Sequence, residues 1–268
     1  MMRKYFLQDS KVMKIVIKVG TSTLAHSTGR MNIRLMESFC KVLSDLKNAG
    51  HEIILVSSGA IGMGMGKLMM TSRPTDIASK QAAAAVGQCE LMYVYDKLFS
   101  EHHHTVAQLL LTADDLRNEQ RYNNFENTIN RLLQFGVIPV INENDTVTTE
   151  EIVIGDNDTL SAFVAAGIGA ELLVLLSDID GLYSADPRVD PNATLIKSVT
   201  ELTDEIMALG GKPGSSLGTG GMHTKLKAAK IATESGCDMI ITNGGNPECL
   251  YDIVEGKEVG TRFRSKGN

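Results

Sequence analysis

Apolar residues occur along the chain in short continuous runs and at longer helical spacings, and the two patterns alternate almost throughout. Six short runs are dominated by Ile, Leu and Val, which is typical of strands buried on both faces of a parallel sheet. These predicted strands are residues 14–19, 52–57, 105–111, 137–141, 172–177 and 238–242. Pro139 has no N–H group and therefore fits a strand end or an edge better than the centre of a sheet.

Three predicted helices between these strands are each followed by glycine, which adopts the left-handed conformation of a helix terminus at little cost. They are the helix on which Leu35, Phe39, Val42 and Leu46 share a face, followed by Gly50; residues 121–135, followed by Gly136; and residues 222–235, followed by Gly236. This alternation predicts an α/β protein with helices on both faces of a mainly parallel sheet. Residues 63–76, rich in Met and Gly, are predicted to form a mobile loop or a short hairpin.

Composition narrows the class of protein. The net charge is -6 over 268 residues, with both signs interspersed, which disfavours nucleic acid as a partner because phosphate-backbone binding requires clustered basic residues. The four cysteines are far apart and are predicted to be reduced thiols. The N-terminus has no apolar core typical of a secretory signal, and the longest strongly apolar run, residues 172–176, is too short for a bilayer. We therefore expect a cytoplasmic protein with no membrane partner.

Lys18 is the first candidate for chemistry, because open α/β sheets bind ligands at the carboxyl ends of their strands. It lies at the end of the first predicted strand and is followed closely by Gly20, so its ammonium group can lie beside accessible backbone amides. The order differs from that of a Walker A loop, in which the lysine follows the glycine-rich turn. A solvated strand-end lysine is the alternative.

Small residues follow the second predicted strand, from Ser57 through Gly62 to Gly64 and Gly66. Free amides at a strand-to-helix turn, together with the helix dipole, form a binding site for anions; an ordinary tight turn is the alternative. The glycine spacing is not that of a dinucleotide fingerprint, and no acidic residue ends a following strand at the required distance. An NAD-dependent oxidoreductase is therefore disfavoured.

Two polar clusters, residues 142–145 (NEND) and 155–158 (GDND), each follow an apolar stretch. Asn and Asp are also common in turns and helix caps, but two such clusters so close in sequence indicate two walls of one polar site. Neither cluster has the alternating Asp spacing and terminal Glu of a calcium loop.

Residues 218–225 place three glycines and two threonines ahead of a lysine at a predicted helix start, a composition suited to binding a polyphosphate. Upstream, Ser177 and Asp178 end the strongest predicted strand, and the loop that follows can border a nucleotide. The consecutive residues His102, His103 and His104 cannot direct three imidazoles at one metal from a regular helix or strand. We interpret them as a polar helix end and predict no protein metal site.

Taken in order, these segments resemble the amino acid kinase family over almost the whole chain, from about residue 14 to 261. The matching segments are residues 18–22 (KVGTS), 58–60 (SGA), 78–81 (ASKQ), 85–88 (AVGQ), 140–145 (VINEND), 155–158 (GDND), 181–188 (GLYSADPR) and 218–222 (GTGGM), continuing to Lys225. The combination of the NEND and GDND clusters is the specific part, and it is typical of the members that phosphorylate glutamate.

The resemblance implies a fold, the parts of the chain that bind each substrate, and the roles of individual residues. The fold would be a three-layer αβα sandwich formed by residues 1–268 as a single domain, with the acceptor bound by about residues 1–169 and ATP by about residues 170–263. By the resemblance Ser58, Asp145 and Asn157 would bind the acceptor, and Asp158 would orient the two phosphate-binding lysines. The residues implied for ATP are Lys18, Ser177, Asp178, Thr219, Gly220, Gly221, Met222, His223, Thr224 and Lys225.

The implied reaction is transfer of the γ-phosphoryl group of ATP, as its Mg²⁺ complex, to the γ-carboxylate of L-glutamate, the first step of proline biosynthesis. The resemblance also implies a homo-oligomer, feedback inhibition by L-proline and a glutamyl phosphate reductase as partner. Many glutamate-phosphorylating members carry a further C-terminal domain of the type found in RNA-modifying enzymes. We expect this protein to lack that domain, because the resemblance ends near residues 260–263. Aspartate, N-acetylglutamate or a nucleoside monophosphate as acceptor, and a non-catalytic nucleotide-binding regulator, are the alternatives.

Overall fold

The computed structural model describes residues 11–26, 30–147, 156–211 and 221–266. Within these ranges eight strands form one sheet in the order β3-β4-β2-β1-β5-β7-β8-β6. The strands are β1 (Lys14–Val19), β2 (Glu52–Ser57), β3 (Val106–Leu111), β4 (Ile138–Glu143), β5 (Leu172–Ser177), β6 (Ser198–Val199), β7 (Asp238–Asn243) and β8 (Thr261–Phe263). The helices are α1 (Thr21–Leu24), α2 (Ile33–Asn48), α3 (Ala60–Lys67), α4 (Ile77–Ser100), α5 (Ala113–Arg117), α6 (Glu119–Gln134), α7 (Asn157–Gly167), α8 (Asp204–Ala208), α9 (Met222–Glu234) and α10 (Cys249–Val254).

The six strands from β3 to β7 in the sheet order are mutually parallel, so their carboxyl ends share one edge. β8 is antiparallel to β7, and β6 is parallel to β8. The loops that follow the parallel strands therefore gather at one edge of the sheet, which is where ligands bind in open α/β folds.

Alternating side chains of the parallel strands enter two separate cores. In β1, Val16 packs in the core that α6, α7 and α9 cover, whereas Ile15 and Ile17 pack in the core under α2, α4 and α10. Both faces of the sheet are thus covered, which explains why its strands are continuous apolar runs. The three-layer αβα sandwich predicted from the sequence is confirmed.

The six predicted strands are present with ends shifted by at most two residues. Pro139 is the second residue of β4, and the pairing of β4 with β2 begins only at Val140, so the missing N–H falls before that ladder starts. The short strands β6 and β8 were not predicted, because two or three residues carry no recognisable period. In the part of the chain that the structure describes, no helix is both long enough and apolar enough to cross a membrane.

The prediction of a loop or hairpin for residues 63–76 is wrong in its first part, because α3 extends to Lys67. The glycines there permit a close crossing of α3 and α4. A Cβ atom added to Gly64 would lie 1.8 Å from the carbonyl oxygen of Ala83, and one added to Gly87 would lie 1.7 Å from that of Ala60. The Gly-rich composition therefore serves helix packing in this segment.

Candidate active site

Three buried charged side chains meet at the carboxyl edge of the sheet. Lys18, near the end of β1, places its Nζ 2.6 Å from Oδ1 of Asp158 in the first turn of α7. Lys225, in the first turn of α9, places its Nζ 3.0 Å from Oδ2 of the same carboxylate. Asp158 is fully buried, and the two lysines retain only 7% and 4% of their exposure. The structure thus brings Asp158 together with the two lysines that it was expected to orient, the three residues for which the resemblance implies a catalytic role.

Electrostatics keep the Asp158 carboxylate ionised despite its burial. Burial alone would raise its pKa, but Lys18 and Lys225 together outweigh that effect and hold the pKa below its usual range. Its place in the first turn of α7 adds the favourable helix dipole. Two ammonium groups against one carboxylate leave the cluster with one excess positive charge, which is suited to an anionic ligand.

The N-terminus of α9 lies beside this cluster. Gly221 caps the helix without a side-chain hydrogen bond, and the first turn contains no acidic residue. The hydroxyl of Thr224 donates a hydrogen bond to the carbonyl oxygen of Gly221 at 2.7 Å and lies 3.0 Å from Oδ2 of Asp158. Backbone N–H groups at an uncapped helix start next to buried lysines suit phosphate oxygens. Thr219 and Gly220, which were also predicted to bind ATP, lie outside the described residues.

A cleft of about 550 Å³ opens beyond the cluster, between the end of β5, the loop that follows it and the start of α9. Five predicted nucleotide-binding residues line it: Ser177, Asp178, Gly221, Met222 and Lys225. The volume and the mixed polar and apolar lining fit a nucleotide.

Three of the described residues that were predicted to bind the nucleotide do not line this cleft. Lys18 instead contacts Oδ1 of Asp158. The side chain of Thr224 is directed to Asp158, as its hydrogen bond shows. The backbone of His223 packs against Gly210, where an added Cβ would lie 3.0 Å from the Cα of His223.

The sequence did not indicate Asn243, which lies at the end of β7 and lines the cleft. Its Nδ2 donates a hydrogen bond to Oδ1 of Asp180 at 2.9 Å.

Next to the cluster, two of the predicted acceptor-binding residues are in contact. Nδ2 of Asn157 donates to Oγ of Ser58 at 2.7 Å and to Oδ1 of Asn142 at 2.9 Å. Ser58 follows β2, Asn142 lies in β4, and Asn157 begins α7 immediately before Asp158. The expectation that the NEND and GDND clusters face one site holds for Asn142 and Asn157.

Asp145 lies in the turn that follows β4 and is half-buried. Burial raises the pKa of its carboxyl. Within the described ranges this carboxylate has no hydrogen bond or ion pair, and the structure does not bring it into contact with Ser58 or Asn157. A half-buried carboxylate without a partner is suited to a cationic group of a ligand.

The remaining polar features are structural. His102, His103 and His104 follow α4; His104 Nε2 lies 3.3 Å from the carbonyl oxygen of Ser44. Among the residues that the structure describes, no group of three or more His, Cys, Asp or Glu could hold a metal ion. Asp156 caps α7: its Oδ1 accepts a hydrogen bond from the backbone N–H of Thr159 at 2.7 Å. Burial raises the pKa of the Asp156 carboxyl.

A three-layer α/β fold with a nucleotide-sized cleft, and a buried cationic cluster beside a group of hydrogen-bonded polar side chains, defines a nucleotide-dependent phosphotransferase. Residues 13–243 match the model of the amino acid kinase family. The chain belongs to the amino acid kinase family.

Individual proteins that are similar to this chain in sequence are named glutamate 5-kinase. The chain is 52% identical to a glutamate 5-kinase of Clostridium perfringens, with 97% of each chain covered, and 51% identical to a glutamate 5-kinase of Listeria welshimeri, with 97% of this chain and 95% of the relative covered. A glutamate 5-kinase of Caldanaerobacter subterraneus is 50% identical, but the match covers 94% of this chain and 68% of the relative. Relatives of similar length and longer relatives therefore both exist.

Solved structures with much lower sequence identity share the fold. Carbamate kinase from Giardia lamblia bound to AMP-PNP matches with a TM-score of 0.68 and 14% identity, covering 96% of this chain and 100% of that one. UMP kinase from Ureaplasma parvum matches with a TM-score of 0.63 and 17% identity, covering 95% and 100%. At these identities the match shows the amino acid kinase fold alone.

Proposed function

We propose that this enzyme transfers the γ-phosphoryl group of ATP to the γ-carboxylate of L-glutamate, giving ADP and γ-glutamyl phosphate, the first step of proline biosynthesis. The observation that carries the proposal is the buried Lys18–Asp158–Lys225 cluster, in which Lys225 lines the nucleotide-sized cleft and Asp158 directly follows Asn157, which is hydrogen-bonded to Ser58. The acceptor pocket is proposed to lie at Ser58 and Asn157. The relatives named glutamate 5-kinase, at about half identity over nearly the whole chain, support glutamate as the acceptor.

The chemistry requires no general base. A free glutamate side chain titrates near 4.3, so the nucleophile is already an anion at neutral pH. One of its carboxylate oxygens forms a bond to the γ-phosphorus while the bond from that phosphorus to the β,γ-bridging oxygen breaks, and ADP leaves with the electron pair. The obstacle is repulsion between an anionic nucleophile and a polyanionic phosphate, so catalysis depends on positioning and charge stabilisation.

Lys18 and Lys225 supply that stabilisation from opposite sides of Asp158. Because both ammonium groups are buried and fixed by one carboxylate at 2.6 and 3.0 Å, their charge is already oriented before the substrates bind. Preorganised charge of this kind does not have to reorganise in the transition state, and one such donor typically contributes roughly 10²–10³ in rate. Asp158 is the residue that orients the two lysines.

The acceptor pocket offers groups of the polarity that an amino acid requires. Oγ of Ser58 already accepts a hydrogen bond from Asn157, so its own proton is directed elsewhere and can be donated to a carboxylate. The half-buried Asp145, which has no hydrogen bond or ion pair among the described residues, would attract an α-ammonium group. Residues 1–169 would then bind the acceptor, and residues 170–263 would bind the Mg²⁺ complex of ATP as substrate. In that complex Mg²⁺ is held mainly by phosphate oxygens and water.

Further proposals concern the setting of the reaction. The acyl phosphate is reactive and its own α-amine can cyclise onto the γ-carbon, so a glutamyl phosphate reductase is the expected consumer. L-Proline shares the α-carboxylate and α-nitrogen of glutamate, which supports inhibition that is relieved by raised glutamate. A cytoplasmic location is consistent with four unpaired cysteines. A homo-oligomer is proposed on the resemblance to the family.

An acceptor panel tests the proposed function. The wild-type enzyme is incubated with Mg·ATP, hydroxylamine and L-glutamate, L-aspartate, N-acetyl-L-glutamate or UMP, and acyl hydroxamate and ADP are both quantified. The proposal predicts hydroxamate only with L-glutamate at a rate that matches ADP release. ADP release that follows UMP, or hydroxamate formed faster from aspartate or N-acetylglutamate, would show that the acceptor is wrong.

A further inference from the structure

A chain of side-chain amides connects the acceptor pocket to the surface. Nδ2 of Asn157 donates to Oδ1 of Asn142 at 2.9 Å, Nδ2 of Asn142 donates to Oε1 of Gln88 at 2.9 Å, and Nε2 of Gln88 donates to Oε1 of Gln108 at 3.2 Å. Gln88, in α4, and Asn142, in β4, are both buried. A glutamine on a helix is normally solvated, so a buried one bonded at both ends of its amide has a specific task.

One backbone group fixes the direction of this whole chain. The N–H of Glu143 donates to Oδ1 of Asn142 at 2.9 Å, and a backbone N–H cannot change its role. Oδ1 of Asn142 must therefore stay where it is, and Nδ2 must face Gln88. Gln88 must in turn present Oε1 inward, because two amide nitrogens facing one another would leave both protons unpaired.

The same constraint sets the polarity of the pocket. Since Asn142 presents an oxygen to Asn157, the amide of Asn157 must point its nitrogen inward, where it also donates to Ser58. Oδ1 of Asn157 is left buried and without a hydrogen-bond partner in the part of the chain that the structure describes. An unpaired buried carbonyl oxygen costs free energy, and a donor on a bound ligand can remove that cost.

We infer that Gln88 is a positioning residue. Through Asn142 it holds Asn157 with its side-chain oxygen presented to the α-ammonium group of the acceptor. The inference rests on the proposed function and deepens it, because it assigns the preference for an α-amino acid over a plain dicarboxylate to residues outside direct contact with the substrate. Gln88 lies in the AVGQ segment, to which the sequence resemblance attached no role.

The test compares L-glutamate with glutarate, which has the same chain length and no α-ammonium group. Gln88→Met keeps the volume of the side chain but removes the acceptor for Nδ2 of Asn142. The amide of Asn142 is then held only at Oδ1, by the N–H of Glu143, so it can tilt and positions Asn157 less firmly. We expect kcat/KM for L-glutamate to fall about tenfold, the size of one net hydrogen bond, while kcat/KM for glutarate and KM for ATP stay unchanged. The matched control Gln134→Met, at an exposed position at the end of α6, should leave all three values unchanged.

Two further variants make the result independent of folding defects. Gln88→Glu keeps an oxygen facing Asn142 and should hold the glutamate-to-glutarate ratio within about threefold of wild type. Gln88→Asn keeps an amide but is too short to reach Asn142, and should narrow the ratio as Gln88→Met does. Three outcomes would each overturn the inference. They are an equal loss of kcat/KM for both acceptors in Gln88→Met or Gln88→Asn, an unchanged glutamate-to-glutarate ratio in both of these variants, or a ratio in Gln88→Glu as low as in Gln88→Met. A wild-type enzyme that does not phosphorylate L-glutamate would instead refute the proposed function.

Discussion

Replacing Asp158 by Asn tests the role of the buried Lys18–Asp158–Lys225 cluster. The substitution preserves shape and removes one negative charge from between two ammonium groups that are 2.6 and 3.0 Å away. Because Lys18 and Lys225 are almost completely buried, neither gains much hydration in compensation, and each then faces the other's charge across a neutral amide. The folded state is therefore expected to lose stability.

The magnitude follows from the burial of the pair. Removing one partner of a buried ion pair typically destabilises a protein by about 3–5 kcal/mol. For a chain of this size each kcal/mol lowers Tm by roughly 2–4 °C, so Asp158→Asn should lower Tm by about 10 °C. Turnover should fall at least a hundredfold, since both lysines lose the carboxylate that orients them.

The pH dependence has a definite sign. The pKa of Asp158 is held below its usual range in the folded state, so its stabilising contribution is fully present above the ordinary Asp pKa of about 3.9. That contribution is lost only as the pH falls through the lowered value. The Tm difference between wild type and Asp158→Asn should thus stay constant from about pH 8 to pH 5 and shrink only in stronger acid.

Differential scanning calorimetry of both proteins supplies the measurement. Asp252→Asn is the matched control, because it removes a carboxylate of the same type 2.6 Å from Lys257 at an exposed position, where screening by water leaves little net energy. A Tm for Asp158→Asn within about 2 °C of wild type would show that the two lysines do not depend on this carboxylate, and the reasoning about the cluster would fail.

Three further predictions concern catalysis, recognition and packing. Lys18→Ala and Lys225→Ala should each lower kcat at least a hundredfold in proteins whose circular dichroism is native, and either variant keeping more than half the wild-type kcat would remove that lysine from the mechanism. Asp145→Asn should raise KM for glutamate much more than KM for ATP. Burial raises the pKa of Asp145, so in the wild-type enzyme KM for glutamate should begin to rise, as the pH falls, at a pH above the ordinary pKa range of Asp. Initial-rate measurements should detect no such rise in the variant. Gly64→Ala should destabilise the enzyme by about 1–3 kcal/mol through overpacking. Gly66→Ala, with no atom within 4 Å of the added Cβ, should stabilise it by up to about 1 kcal/mol. Equal denaturation midpoints for the two variants would contradict the close crossing of α3 and α4.

Much of the fold could be predicted from the sequence for a physical reason. Strands buried on both faces must be continuous apolar runs, and residues 172–177 show this most clearly, since the whole of β5 is buried. The carboxyl ends of parallel strands converge, so polar residues placed directly after such runs had to gather at one edge. The individual roles of Lys18, Lys225 and Asp158 came from the resemblance to a family, because no local pattern shows which lysine faces which carboxylate.

The parts that could not be predicted depend on contacts between distant segments. Gln88 and Asn142 are 54 residues apart in sequence, and nothing near Gln88 indicates that its side chain is buried. The glycines of α3 resembled a loop because their purpose, the close approach to α4, exists only in the folded chain. The two strands β6 and β8 are held by pairing with each other and with β7 and have no pattern of their own.

In the proposed reaction a γ-carboxylate oxygen of glutamate becomes bonded to the transferred phosphorus. It is tested most directly with L-glutamate labelled with ¹⁸O in the γ-carboxylate, incubated with Mg·ATP, the enzyme and hydroxylamine. Hydroxylamine attacks the acyl carbon of the product and releases inorganic phosphate that retains the oxygen through which glutamate attacked. We expect this phosphate, analysed by ³¹P NMR or mass spectrometry, to carry one ¹⁸O atom per hydroxamate formed. Unlabelled phosphate released alongside ADP would contradict the proposed reaction.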